Sequence, residues 1–221
     1  MCDLNIKGVI FDLDGVIVST DDCHYKAWKR MAEEEGISFD RAVNERLRGV
    51  SRMESLSIIL EKAERVYTEA EKNALAVRKN GYYGEWIEKL TPKDVLPGVL
   101  EALQWLRSRG VAIAVGSSSR NAPLILKRIG LAEAFEAVAD GNQIKNSKPD
   151  PEVFLLAAKL LDLPPQECLV VEDADAGIEA AAAGGMRSLG LGTAAKNPRA
   201  DFHAENLARM DFSAIPGLAC E

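Results

Sequence analysis

The stretch Gly8-Val9-Ile10-Phe11-Asp12-Leu13-Asp14-Gly15 decides the fold. Its first half is a short apolar run rich in β-branched residues and reads as a buried strand; its second half delivers two carboxylates to that strand's C-terminal end. The pattern then changes. Between Asp22 and Leu90 it is helical, with Trp28, Met31 and Ala32 on one face and Gly36 closing the first segment. The two prolines and the glycine of Thr91-Pro92-Lys93-Asp94-Val95-Leu96-Pro97-Gly98 mark a return linker. From Val99 onward helices and strands alternate. A helix runs to Ser108 and a strand from Val111 to Val115; a helix from Pro123 to Ile129 precedes a strand from Ala137 to Ala139. A helix from Pro151 to Leu161 precedes a strand from Cys168 to Val171, and a helix from Ala174 to Ala183 precedes a strand from Ser188 to Leu191. Continuous apolar strands are expected where helices cover both faces of a sheet. The expected class is therefore α/β: a doubly wound, Rossmann-like parallel sheet over residues 1–18 and 92–221, with an all-α helical cap over residues 19–91 inserted after the first strand.

A chain of 221 residues accommodates one ample domain with a sizeable insertion, against a prior of about 150 residues per domain. Hydrophobic residues make up 47% and charged residues 28%, which excludes disordered, collagenous and disulfide-scaffold classes. The 34 acidic residues outnumber the 27 basic ones for a formal charge of -7, so neither nucleic acid nor an anionic membrane is expected as partner. An anionic small molecule would need a local basic pocket or a metal. Cys2, Cys23, Cys168 and Cys220 have no CxxC spacing and no local histidines to complete a zinc site, so reduced thiols are expected. The N-terminus lacks the basic start and long apolar core of a signal peptide, and no run of about 18 apolar residues occurs. A cytoplasmic, non-membrane protein is expected.

Four predicted strand ends carry polar groups: Asp12 and Asp14, then Ser117-Ser118-Ser119, then Lys148 in the loop beyond Ala139, then Glu172-Asp173. Alone, an Asp-x-Asp pair reads as a solvated loop or a helix cap. Together the four lie where open α/β sheets bind ligands. A phosphoryl group among Asp12, Asp14, Glu172 and Asp173 would be repelled, since like unit charges about 4 Å apart repel by roughly 4 kcal/mol at an effective dielectric of about 20. A divalent cation is therefore required, and a few hard oxygen ligands shared with a phosphoryl oxygen point to Mg2+. Lys148 adds a point charge and Ser117 a hydroxyl donor, suited to equatorial phosphoryl oxygens. One carboxylate can act as nucleophile, and a second, two residues on, can shuttle the hydroxyl proton.

Asp12-Leu13-Asp14-Gly15-Val16, Ser117, Lys148-Pro149-Asp150-Pro151 and Glu172-Asp173 resemble, in order and spacing, the four motifs of the haloacid dehalogenase superfamily. The resemblance spans the chain. It implies Asp12 as the nucleophile that becomes an aspartyl phosphate and Asp14 as general acid/base. It also implies a metal held by Asp12, the backbone carbonyl of Asp14, Glu172 and Asp173. Thr20, His24 and Trp28, with Arg48-Gly49-Val50-Ser51-Arg52, Arg78-Lys79-Asn80 and Ser119-Arg120-Asn121, are similar to the β-phosphoglucomutase branch. That likeness implies that Arg52 grips the phosphate not being transferred, that Gly49 and Val50 lend backbone contacts, and that Trp28, Ser55 and Lys79 line the sugar side. Ser119, Arg120 and Asn121 would complete the substrate site from the core, while Thr20 and His24 would orient the nucleophile and the acid/base from the hinge. Arg48 and Arg120 stand where the branch carries lysine, and arginine's planar fork is not equivalent to lysine's point charge.

On spacing alone, Trp28 reads as core packing, His24 as a surface or capping residue, and Arg48 and Arg52 as a solvated helix end; the intervening Gly49-Val50-Ser51 argues for a loop. His203 and residues 211–221 carry no signal. The function implied is a phosphomutase interconverting β-D-glucose 1-phosphate and D-glucose 6-phosphate, working as a monomer on a small phosphorylated sugar. The alternatives are a Mg2+-dependent sugar-phosphate phosphatase on the same core and a non-catalytic phosphosugar sensor, which would have no need of a nucleophile.

Overall fold

The computed structural model describes residues 5–47 and 51–218. Its contacts divide into two compact units, one built from the chain up to Ser19 and from Thr91 onward, the other from Thr20–Leu90.

The first unit is a six-stranded, wholly parallel sheet. Its strands are β1 (Gly8–Phe11), β2 (Ala112–Gly116), β3 (Ala137–Ala139), β4 (Cys168–Glu172), β5 (Arg187–Leu191) and β6 (Phe202–Ala204), in the order β3-β2-β1-β4-β5-β6. β1 is central, and all four of its residues are buried. Phe11 pairs with Val115 on one side and Val171 on the other, so the next residue, Asp12, comes level with Gly116 and Glu172. The strand order reverses between β1 and β4, the place where open α/β sheets bind ligands. Helices α5 (Val99–Ser108), α6 (Ala122–Arg128), α7 (Glu152–Leu160) and α8 (Asp175–Ala183) belong to this unit. Phe154 and Ala157 of α7 and Ala180 and Ala181 of α8 share one buried cluster with Ile10, Ala114 and Val170 of the sheet.

The sixth strand departs from the sequence reading, which ended the sheet at Leu191. Among the described residues Phe202-His203-Ala204 pairs only with β5, and it is partly solvent-exposed, so it has neither the length nor the apolar run of an interior strand. Beyond it, Phe212 stacks on Trp105 of α5, and Ile6 N–H donates to Gly217 O at 3.0 Å. Just after β1, Val18 bridges antiparallel to Val95, and Leu96 N–H donates to Ile17 O at 2.9 Å. The outgoing and returning segments of the chain are thus joined side by side.

In the second unit the helical stretch resolves into α1 (Asp21–Glu34), α2 (Arg41–Glu45), α3 (Arg52–Leu60) and α4 (Glu69–Ile87). Three starts are capped: Asp40 accepts from Val43 N, Ser51 from Glu54 N, and Thr68 forms a reciprocal capping box with Glu71. The apolar stripe of α1 (Trp28, Met31, Ala32) packs with Leu56 and Ile59 of α3 and Leu75 and Ala76 of α4. Among the described residues no helix is long and apolar enough to cross a membrane, and Cys168 is a buried free thiol.

Candidate active site

Asp12 follows β1 directly, and its backbone N–H still donates to Val171 O at 2.9 Å, so the sheet ladder fixes the residue that leaves it. Glu172 ends β4 beside it. Lys148, from the loop between β3 and α7, places Nζ 2.5 Å from Asp12 Oδ1 and 2.6 Å from Glu172 Oε1, over the Phe154 ring. The Lys148–Pro149 peptide is cis. Burial opposes the lysine's charge, but Asp12 and Glu172 outweigh it and raise the pKa above the ordinary lysine value. Burial pushes the Glu172 carboxyl above its usual range, with Lys148 pulling against it and Asp12 adding to it. Ala174 N–H donates to Glu172 Oε2 at 2.9 Å and holds the other end of the carboxylate.

Asp173 completes the acidic group: Asp12, Glu172 and Asp173 each offer an oxygen, all within 4.8 Å of one another. Gly15 makes this possible. It has φ of +81°, and a Cβ there would lie 2.0 Å from Asp173 Oδ2, so both conformation and space require glycine. Three carboxylates against one ammonium leave an excess of two negative charges, and oxygen donors of this kind suit a hard divalent cation. Asp14 is half-buried in the tight turn after β1, where Gly15 N–H donates to Val18 O at 2.8 Å.

Ser117 is buried just past β2, and its N–H donates to Ala139 O at 3.0 Å. Its hydroxyl accepts from Ser119 N–H at 3.1 Å, and Ser119 Oγ accepts from Asn121 N–H at 3.2 Å. The loop thereby organises itself, and Arg120 projects from it exposed. Among the described residues Ser118 Oγ, which is buried, has no hydrogen-bond partner.

In the helical unit, Thr20, His24, Trp28 and Lys79 converge. Lys79 is 2% exposed; its Nζ lies 2.9 Å from His24 Nδ1 and over the rings of Trp28 and Tyr83. Tyr83 donates its hydroxyl proton to Thr20 Oγ1 at 3.1 Å, and its ring lies against His24. Burial first, then the charges of Lys79 and Arg52, hold the His24 pKa well below its ordinary value. Trp28 serves the packed interior and this cluster together. Ser55 is buried on α3. Arg52 is the exposed first residue of α3, directly after the Ser51 cap, the solvated helix end that its spacing suggests. A cation there opposes the helix dipole, whereas an anion would be drawn by both. Arg78 turns instead to Glu34 and Glu35. Arg48, Gly49 and Val50 lie outside the described residues.

The haloacid dehalogenase-like hydrolase family model matches residues 6–185. A beta-phosphoglucomutase of Bacillus subtilis is 49% identical over 189 residues, covering 85% of this chain and 84% of that protein. A phosphorylated carbohydrates phosphatase of Thermotoga maritima is 33% identical over 187 residues, covering 83% and 84%. The crystal structure of a beta-phosphoglucomutase from Clostridium difficile matches with a TM-score of 0.85 at 40% identity, covering 94% of each chain. With motif order, fold and relatives in agreement, the chain belongs to the haloacid dehalogenase-like hydrolase family.

Proposed function

We propose that this chain is a phosphomutase that interconverts β-D-glucose 1-phosphate and D-glucose 6-phosphate through an aspartyl phosphate at Asp12. The observation that carries the reading is the Asp12–Lys148–Glu172 contact beside Asp173 at the sheet's switch point, in a chain 49% identical to a beta-phosphoglucomutase. In the first half-reaction the 6-hydroxyl of β-glucose 1-phosphate attacks the phosphorus on Asp12. The bond from phosphorus to Asp12 breaks, and the hydroxyl proton passes to Asp14. The resulting β-glucose 1,6-bisphosphate turns round. Asp12 then attacks the phosphorus at C1, the bond to the anomeric oxygen breaks, and Asp14 returns its proton to that oxygen.

Asp12, Glu172, Asp173 and the backbone carbonyl of Asp14 would hold Mg2+, which when bound offsets the charge of the phosphoryl oxygens. Lys148 adds a cation already fixed on the nucleophile, and Ser117 a hydroxyl. Arg52, Arg120 and the hydroxyl of Ser119 supply the groups for the distal phosphate, while Asn121, Ser55, Lys79 and Trp28 offer the sugar polar and aromatic surfaces. Thr20 and His24 orient the reacting groups. The partner on this reading is a small phosphorylated sugar, met in the cytoplasm by a monomer; the net charge of -7 supports a partner other than nucleic acid or membrane.

The test is a product assay with β-glucose 1-phosphate, Mg2+ and a trace of the bisphosphate. Glucose 6-phosphate formed with the bisphosphate conserved is the expected result. Release of free glucose and inorganic phosphate instead assigns the chain to sugar-phosphate hydrolysis, the activity named for its Thermotoga maritima relative.

A further inference from the structure

Beyond β3, residues Asp140-Gly141-Asn142-Gln143 form a turn that closes on itself. The buried Asp140 accepts from Asn142 N–H at 2.7 Å, Asp140 N–H donates to Gln143 Oε1 at 3.1 Å, and Gln143 N–H donates to Asp140 O at 3.0 Å. This rigid turn grips the loop after β2. Gly141 N–H donates to Ser119 O at 3.2 Å, and the Asn142 side-chain amide donates to Arg120 O at 2.9 Å. The approach leaves no room for a side chain at Gly141, where a Cβ would lie 2.3 Å from Ser118 O and 3.0 Å from Arg120 N. Two successive carbonyls, of Ser119 and Arg120, are thus turned toward the clasp. Since a peptide unit is planar and trans, each fixed carbonyl also fixes the N–H of the next residue, here those of Arg120 and Asn121.

We propose that Asn142 is a positioning residue for substrate recognition: through Arg120 O it sets the orientation in which Ser119, Arg120 and Asn121 meet the sugar phosphate. The proposal rests on the reading of those three residues as substrate contacts. Asn142 itself is exposed, and its side chain adds nothing to the hydrophobic core. The partner of its amide is the Arg120 carbonyl and not a member of the Asp12–Lys148 pair, so its contribution is to ground state and transition state alike. Loss of such uniform binding raises KM and leaves kcat in place.

The experiment compares Asn142→Ala with Arg120→Ala in the full chain, using β-glucose 1-phosphate at saturating Mg2+ and following melting temperature in parallel. For Asn142→Ala the expected result is a KM raised by about two- to tenfold, the worth of one neutral hydrogen bond, with kcat and melting temperature held. Arg120→Ala should raise KM at least as much. If Arg120→Ala raises KM and Asn142→Ala does not, the positioning role is overturned and the substrate reading of the loop stands. If Asn142→Ala lowers kcat and melting temperature together, its role is structural and the proposal is overturned. If Arg120→Ala leaves KM unchanged, the substrate reading fails and takes the proposal with it.

Discussion

In the α/β unit the charges of the site sit behind strand ends, whereas in the helical unit most charges lie along helix surfaces and pair with one another. Lys148, Asp12 and Glu172 have side chains 11%, 10% and 2% exposed. Arg65 with Glu71 and Arg30 with Glu85 are exposed pairs, and Arg78 with Glu35 is partly exposed. The difference is one of medium. A buried charge deprived of its partner costs about 3–5 kcal/mol, while exposed pairs contribute about 0–1 kcal/mol. Removing Lys148 would therefore perturb Asp12 and Glu172 strongly, and removing Arg65 would scarcely register. Among the described residues of the helical unit, one place is built like the core: the buried Lys79 between Trp28 and Tyr83, with His24 at its ammonium.

The contrast can be tested from its strongest side first. Asp12→Asn should abolish turnover and phosphoenzyme formation, since an amide is a poor nucleophile and removes a ligand charge; intact-mass analysis after acetyl phosphate treatment reads this directly, and a persisting phosphoenzyme would reassign the nucleophile. Asp14→Ala should leave sugar-phosphate binding intact and slow transfer by about 10²- to 10⁴-fold, seen in single-turnover transfer to sugar; an unchanged rate would assign the proton elsewhere. Arg52→Ala should separate the two units' contributions. Isomerisation should fall about ten- to a hundredfold more than hydrolysis of acetyl phosphate, as for a lost charge-assisted hydrogen bond. Parallel losses would break the division of labour.

The smallest effect concerns pH. His24 faces the cations Lys79 and Arg52 and the Tyr83 ring, and its pKa is held well below 6.5. It stays neutral in the folded protein at pH values where the unfolded chain takes up a proton. Stability should therefore decline as pH falls below about 6.5 and toward the depressed value. The measurement is the melting temperature of the parent and His24→Gln at about pH 7.5 and about pH 5.5. The variant should lose less than the parent, and equal losses would place the titration at another group.

The sheet was readable because a strand covered on both faces is an unbroken apolar run. Gly8–Phe11 and Cys168–Val171 announce themselves this way, and the carboxylates that end them stand out against that background. The groups that the structure brings together around Asp12 lie at or just past the C-terminal ends of such strands, or in the loop of Lys148. β6 was not legible, because an edge strand of three partly exposed residues needs only a neighbour and no pattern of its own. The helix end at Arg52 was suggested by its spacing and obscured only by the glycine before it, and Ser51 with Glu54 N–H is a cap of ordinary type. The Asn142 clasp could not be seen at all. It depends on two loops meeting across 22 residues of sequence, and asparagine in a turn has many other uses.

The bridge between Val18 and Val95 has a consequence for how such a chain is assembled over generations. Everything from Thr20 to Leu90 leaves and re-enters the sheet unit at two neighbouring points, in the manner of a drawer with a single frame. The entropic cost of closing that excursion grows by only about 0.6 kcal/mol for each doubling of its length. Modules of other sizes could be exchanged at the same frame while the strand that ends in Asp12 keeps its neighbours. Heredity can then vary the insert and the phosphoryl chemistry separately, at the cost of matching two short segments.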